Sequence, residues 1–246
     1  MSDLFVEKPS DAQTKALAID AILFDHYDGP FIFFSTKDAL SQMVSALLSH
    51  RTKNAVTGKA YRQLREAYPT WQKVIDAPVE KVEEAIKMVT FPEVKAPRIQ
   101  QALALVAKLN DGKLSLDFMK NWPVEKARTW LEAIPGIGVK TSAAILNFSQ
   151  LRMRALVVDT HHLRVAQRLG IIPAKCSLDK GARLLESYLP AAWDGQRVYD
   201  SHQGFMRHGQ KRCHWKQPNC KDCPVKNLCD YFESEFGRSV AEKEEV

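Results

Sequence analysis

Four cysteines near the C-terminus, Cys213, Cys220, Cys223 and Cys229, are separated by six, two and five residues. Thiols this close either pair as disulfides or ligate a metal. The chain shows no apolar signal segment and a fifth cysteine left over. Both features point to a reducing interior, cytoplasm or nucleoid in a bacterium, and so to metal. Structural zinc sites usually bring two close cysteine pairs together across a longer gap. Here all four ligands crowd into seventeen residues with one close pair, which favours a loop wrapped around an iron-sulfur cluster over zinc. Cys176 stands apart and reads as a small buried apolar side chain.

A second constellation precedes it. In Leu131-Glu132-Ala133-Ile134-Pro135-Gly136-Ile137-Gly138-Val139-Lys140-Thr141, a helix ending near Ile134 meets a four-residue turn whose glycines permit positive φ, and another helix starts at once. The N–H groups at a helix start have no intrahelical partners, and without a Cβ on Gly136 and Gly138 a phosphate can approach them closely. The same residues also suit a plain interhelical turn. Lys140 falls in the first turn of the second helix, where the positive end of the dipole disfavours a cation and favours a free amine. A free amine can form a Schiff base with a sugar aldehyde carbon. Nineteen residues on, Val157-Val158-Asp159-Thr160-His161 sets a carboxylate just before another amphipathic helix. Taken singly, Asp159 is an N-cap and Lys140 a surface charge; taken together they read as a nucleophile and a carboxylate framing one pocket.

The elements that must position these groups are nearly all helical. Apolar residues recur at helical spacing over Thr36–His50, with Ser35 or Thr36 as cap, and over Val56–Leu64, Val79–Ile86, Ile99–Leu109, Val124–Leu131, Leu163–Leu169, Leu178–Leu189 and Val198–Phe205. Two short runs, Phe31–Phe34 and Leu156–Val158, read as strand-like. With 246 residues, 45% of them apolar, the chain can bury a full core as one large domain or two small ones. Its net charge of +6 is uneven: residues 233–246 carry −3, leaving +9 on the rest. A basic body of this kind suits a polyanionic partner.

Leu131–Thr141, Val157–His161 and the spaced cysteines together resemble the endonuclease III family of helix-hairpin-helix base-excision repair glycosylases, with the similarity running from Ser35 to Cys229. The resemblance implies an all-α, two-lobe fold. A six-helix barrel lobe covers 36–151, a lobe holding a 4Fe-4S cluster covers 1–35 and 152–232, and an acidic tail covers 233–246. It implies a monomer acting on double-stranded DNA with damaged bases or abasic sites, the damaged nucleotide flipped into a pocket at the lobe junction. Lys140 matches the family's catalytic lysine and Asp159 its catalytic aspartate; Cys213, Cys220, Cys223 and Cys229 match the cluster ligands. DNA contacts are expected from Arg51, Phe91, Pro135, Gly136, Ile137, Gly138, His161 and Lys216. The implied activity is removal of oxidised pyrimidines with β-elimination at the abasic sugar.

Three positions depart from the family pattern. Arg51 stands where a glutamine is usual, Asn54 where a carboxylate is usual, and Phe91 where an aliphatic residue is usual. Arg51 and Phe91 are nevertheless the candidates to fill the hole left by an extruded base. Lys211, Arg212, His214, Lys216, Lys221 and Lys226 interleave with the cysteines, so the cluster loop can present cations to phosphates. Adenine glycosylases of the same superfamily carry a glutamate in the helix before the first wedge and lack the lysine, whereas Ala39–Ser49 has no carboxylate. Mismatch-specific thymine glycosylases also replace the lysine. A non-catalytic lesion sensor would need neither Lys140 nor Asp159.

Overall fold

The computed structural model describes residues 11–33 and 35–234. Phe34 and residues 235–246, which hold most of the acidic tail, lie outside the described residues. Every regular element described is helical. In chain order the α-helices are α1 (Ala12–His26), α2 (Ala39–Ser49), α3 (Asn54–Ala67), α4 (Trp71–Asp76), α5 (Val79–Ala85), α6 (Pro92–Leu109), α7 (Val124–Glu132), α8 (Val139–Phe148), α9 (Thr160–Leu169), α10 (Leu178–Ser187), α11 (Gly195–Lys211) and α12 (Asp230–Glu233). The chain divides into two compact units, Phe34–Met153, and Met1–Phe33 with Arg154–Val246.

The unit Phe34–Met153 is built around α2 and α8. In α2, nine of eleven residues are buried, among them Leu40, Met43, Val44, Leu47 and Leu48; in α8 all but Lys140 are buried. A helix buried on every side loses its amphipathic stripe, which is why α8 is legible only from the turn before it. The cap of α2 is Asp38, not Ser35 or Thr36: its Oδ1 accepts from Ser41 N at 2.8 Å and its Oδ2 from Ser41 Oγ at 2.6 Å. A carboxylate at this position also complements the helix dipole, which a hydroxyl does not. The hairpin helices are tied near their junction, where Ser142 Oγ in α8 donates to Glu132 Oε1 at the end of α7 (2.7 Å).

The other unit is built on α9 and α11, with α1 against α11 and α10 and α12 against α9. Helix α1 gives no apolar stripe in the sequence because its buried face, Lys15, Ala16, Ile19, Asp20 and Leu23, contains two charges. Each is met by a partner: Asp20 pairs with Arg197 of α11, and Lys15 Nζ lies 2.6 Å from Asp230 Oδ1 of α12. Burial pushes the Asp20 pKa up, against the Ser201 hydrogen bond and the Arg197 charge. The two strand-like runs form no strand among the described residues. Phe31, Leu156, Val157 and Val158 are buried while Ile32 is 93% exposed, and side chains take the place of a partner strand. Phe31 N donates to Asp200 Oδ1 (2.9 Å) and Leu156 N to Glu186 Oε1 (2.8 Å), which satisfies the buried main chain without a ladder.

Candidate active site and cluster loop

In the hairpin, α7 gives way at Ala133 to a turn closed by Ile137 N donating to Ile134 O at 3.0 Å. Ile134 and Ile137 are buried and anchor it, while Pro135, Gly136 and Gly138 are exposed. Only Gly136 uses the left-handed region, with φ +90. A Cβ there would also stand 2.5 Å from Arg98 Cδ. Gly138 has φ −104, open to any residue, and a Cβ would meet nothing within 4 Å. The expected positive φ therefore holds at one glycine, and the other keeps the helix mouth open. Gly138 is the N-cap of α8 and offers no side-chain acceptor, so the amides of the first turn are free for an external anion. Lys140, second residue of α8, is exposed beside them.

The same unit carries Arg51 and Phe91. Both are exposed and both lie in the left-handed region, at φ 55 and 58. Phe91, 48% exposed, is not a core aromatic. Their loops touch: Thr90 Oγ1 donates to Arg51 O (3.0 Å), and Thr90 N donates to Thr52 Oγ1 (3.1 Å). His50, between α2 and Arg51, sits with Nε2 3.1 Å from Thr141 Oγ1, the residue after Lys140. Burial, then the charges of Lys140, Lys95 and Arg98, hold His50 below the usual histidine range and so neutral. Sequence reading passed over His50, Lys95 and Arg98 because a single polar residue on a helical segment carries no spacing signal.

Asp159, His161, Lys216 and the four cysteines belong to the other unit. Asp159 is the N-cap of α9, its Oδ1 accepting from His162 N at 2.8 Å. Burial alone would raise its pKa, but the charge of His202, the His162 N–H and the charge of His161 outweigh that and hold the carboxyl below its ordinary range. His162 is fully buried, stacked on Phe205 with ring centroids 4.5 Å apart, and burial pushes its pKa down to about 3. His161 is half-buried, its Nδ1 3.2 Å from Arg164 Nη2. Capping and an ionised carboxylate thus coexist at Asp159.

The four cysteines line one shared cavity, walled by Val165 and Leu169 of α9 among others. Arg164 and Arg168 of α9 hold the loop after α11. Arg164 donates to Cys213 O and Gly209 O, and Arg168 to His214 O (2.6 Å), Trp215 O (2.8 Å) and Cys213 Sγ (3.3 Å). Burial pushes the Cys223 thiol up to about 11 and raises Cys229 as well. Such thiols ionise only against a strong local positive charge. Among the described residues no group of three or more His, Cys, Asp or Glu side chains is placed to hold a single metal ion. Four thiols bordering a shared cavity are a donor set of the kind that holds an iron-sulfur cluster or zinc. Of the interleaved cations, Lys211, His214, Lys216 and Lys221 are exposed, whereas Lys226 is half-buried, its Nζ donating to Lys221 O (3.1 Å).

Residues 44–191 match the family described as HhH-GPD superfamily base excision DNA repair protein, and the chain belongs to that superfamily. Endonuclease III of Rickettsia prowazekii (strain Madrid E) is 26% identical over 200 residues, spanning 81% of this chain and 87% of the relative. Endonuclease III of Escherichia coli (strain K12) is 26% identical over 221 residues, spanning 90% and 97%. Among solved structures, a trapped Endonuclease III–DNA covalent intermediate superposes with a TM-score of 0.76 at 22% identity, covering 90% of this chain and 97% of that one. The resemblance to endonuclease III and the all-α fold are therefore borne out, and the protein is a base excision repair DNA glycosylase. Among the described residues no helix is long and apolar enough to cross a membrane.

The two hairpin glycines make a stability prediction. Gly136→Ala forces a left-handed alanine against Arg98 and is expected to cost about 1–2 kcal/mol or more. Gly138→Ala loses only a modest N-cap, less than about 1 kcal/mol. Thermal unfolding followed by circular dichroism ranks them; a larger loss at Gly138 would contradict the hairpin geometry.

Proposed function

We propose that the protein is a bifunctional DNA glycosylase and abasic-site lyase in which Lys140 is the nucleophile, with oxidised pyrimidines as its substrates. The observation that carries this reading is the exposed Lys140 amine, one residue inside the uncapped start of α8, in a chain of this superfamily. A 3′ or 5′ phosphate held by the first-turn amides brings a sugar within reach of that amine. The Lys140 Nζ lone pair forms a bond to C1′, the N-glycosidic bond breaks and the base leaves with its electron pair. Asp159, held ionised, stabilises the positive charge developing on the sugar and accepts a proton from the attacking amine. The nitrogen lone pair then forms the C=N bond as the C1′–O4′ bond breaks and O4′ takes up a proton, giving a protonated Schiff base that acidifies C2′; proton loss there expels the 3′ phosphate and nicks the strand. Pro135, Gly136, Ile137 and Gly138 serve as the phosphate clip, His161 and Lys216 as further DNA contacts, and Arg51 and Phe91 as wedges in the base stack.

Cys213, Cys220, Cys223 and Cys229 would hold a 4Fe-4S cluster. Bound there, it would supply a covalent staple for the loop and the positive charge that the four thiolates, two of them buried, need. The loop it shapes presents Lys211, His214, Lys216 and Lys221 to phosphates. Anaerobically purified protein should be yellow-brown and contain iron and acid-labile sulfide. A colourless protein with zinc and no iron removes the cluster from this account.

The two catalytic assignments separate by mutation. Lys140→Gln should bind abasic duplex yet lose strand cutting and borohydride trapping. Asp159→Asn keeps a good N-cap, so the protein should fold and bind, while base release slows on the order of 10²-fold or more. Cutting at a preformed abasic site should fall less, because no base has to be expelled. Trapping of Lys140→Gln at wild-type yield would overturn the nucleophile assignment.

A further inference from the structure

Lys95 is 4% exposed, one residue past the first turn of α6, where the helix dipole is unfavourable for a cation. Its Nζ donates to Leu48 O at 2.8 Å, His50 O at 2.7 Å and Thr52 Oγ1 at 2.8 Å. An ammonium has three N–H donors and all three are used. All three acceptors lie on the end of α2 and the loop that carries Arg51. The main chain of Lys95 is tied to the other loop, since Lys95 N donates to Phe91 O at 3.1 Å. One side chain therefore joins segments some forty residues apart in sequence, and the two Thr90 hydrogen bonds run beside it.

What it joins is strained. Arg51 and Phe91 each hold a left-handed backbone without being glycine, and such conformations persist where the surroundings over-determine them. A buried ammonium at the wrong end of a helix is itself unfavourable, and a methionine or leucine would fill the space without the charge. The arrangement holds two exposed, strained residues at a fixed separation.

We propose that Lys95 is a positioning residue for nucleotide extrusion, locking the loops that carry Arg51 and Phe91 into a single rigid wedge. This inference rests on the glycosylase reading above and adds to it a residue that touches neither DNA nor the reacting atoms. Filling the stack with two side chains at once demands that their spacing survive the push of the duplex closing behind the lost base. Two independent loops would yield separately.

The test uses the full-length protein and a duplex with a non-cleavable tetrahydrofuran abasic analogue opposite 2-aminopurine, whose fluorescence reports whether the orphaned base stays stacked. Wild-type protein should bind and change the fluorescence. Thr90→Val severs the exposed cross-loop hydrogen bond to Arg51 O and should shift the wedge equilibrium back by about fivefold, the worth of one hydrogen bond. Lys95→Met, which removes three, should shift it by about tenfold or more. Affinity for undamaged duplex, which the hairpin provides, should stay near wild type for both. If Lys95→Met fails to fold, Thr90→Val decides alone. Wild-type fluorescence change in the folded variants, or a loss that only tracks lost binding, overturns the proposal. Wild-type protein that binds, cuts and traps abasic DNA but leaves 2-aminopurine stacked also overturns it, with the glycosylase reading intact. Wild-type protein that neither binds nor traps defeats both.

Discussion

A helix buried along its whole length can meet a ligand only at its ends, and α8 is such a helix. Its residues after Lys140 are packed out of water, so its polar, reactive part is the first turn. That constraint explains the hairpin. The turn from α7 must be short enough to keep both helices in the core, which Ile134 and Ile137 secure by burial. It must also leave the first-turn amides uncovered, which Gly138 achieves by having no side chain to cap them. The end of the helix that can hold a phosphate is also where Lys140 is exposed.

Much of this was legible in the sequence because it rests on local chemistry. Pro135-Gly136-Ile137-Gly138 announced the turn, and Lys140 and Asp159 each fell one or two residues from where the structure begins its helix. The cysteine spacing predicted a shared site, and the cavity they line agrees. The misses have a common origin in long-range satisfaction of polar groups. Helix α1 was invisible because its buried face includes Lys15 and Asp20, whose partners Asp230 and Arg197 lie some two hundred residues away. Leu156–Val158 looked like a strand because its side chains are buried, and only the Glu186 carboxylate that receives Leu156 N shows why no strand partner is needed. Lys95 carried no signal in the sequence, because its three acceptors lie more than forty residues away.

The buried charges divide by purpose. Asp20 with Arg197 and Lys15 with Asp230 fasten α1 to α11 and α12, a fixed registration that an apolar contact would leave free to slide. Asp159 is different: histidines and a backbone amide hold it ionised although burial opposes the charge. A cap alone does not need that, since asparagine caps as well. Lys95 is different again, meeting only neutral oxygens. Of these, Asp159 and Lys95 are the two charges the proposals draw on, one at the sugar and one behind the wedge.

The claim that one amine, Lys140, does the covalent chemistry is tested most directly by locating the bond. Wild-type protein reduced with borohydride on abasic DNA is digested with protease and nuclease, and tandem mass spectrometry places the sugar remnant on a residue. The account predicts a remnant on Lys140 Nζ. A remnant on Lys95, on the N-terminal amine or on any other lysine would contradict it.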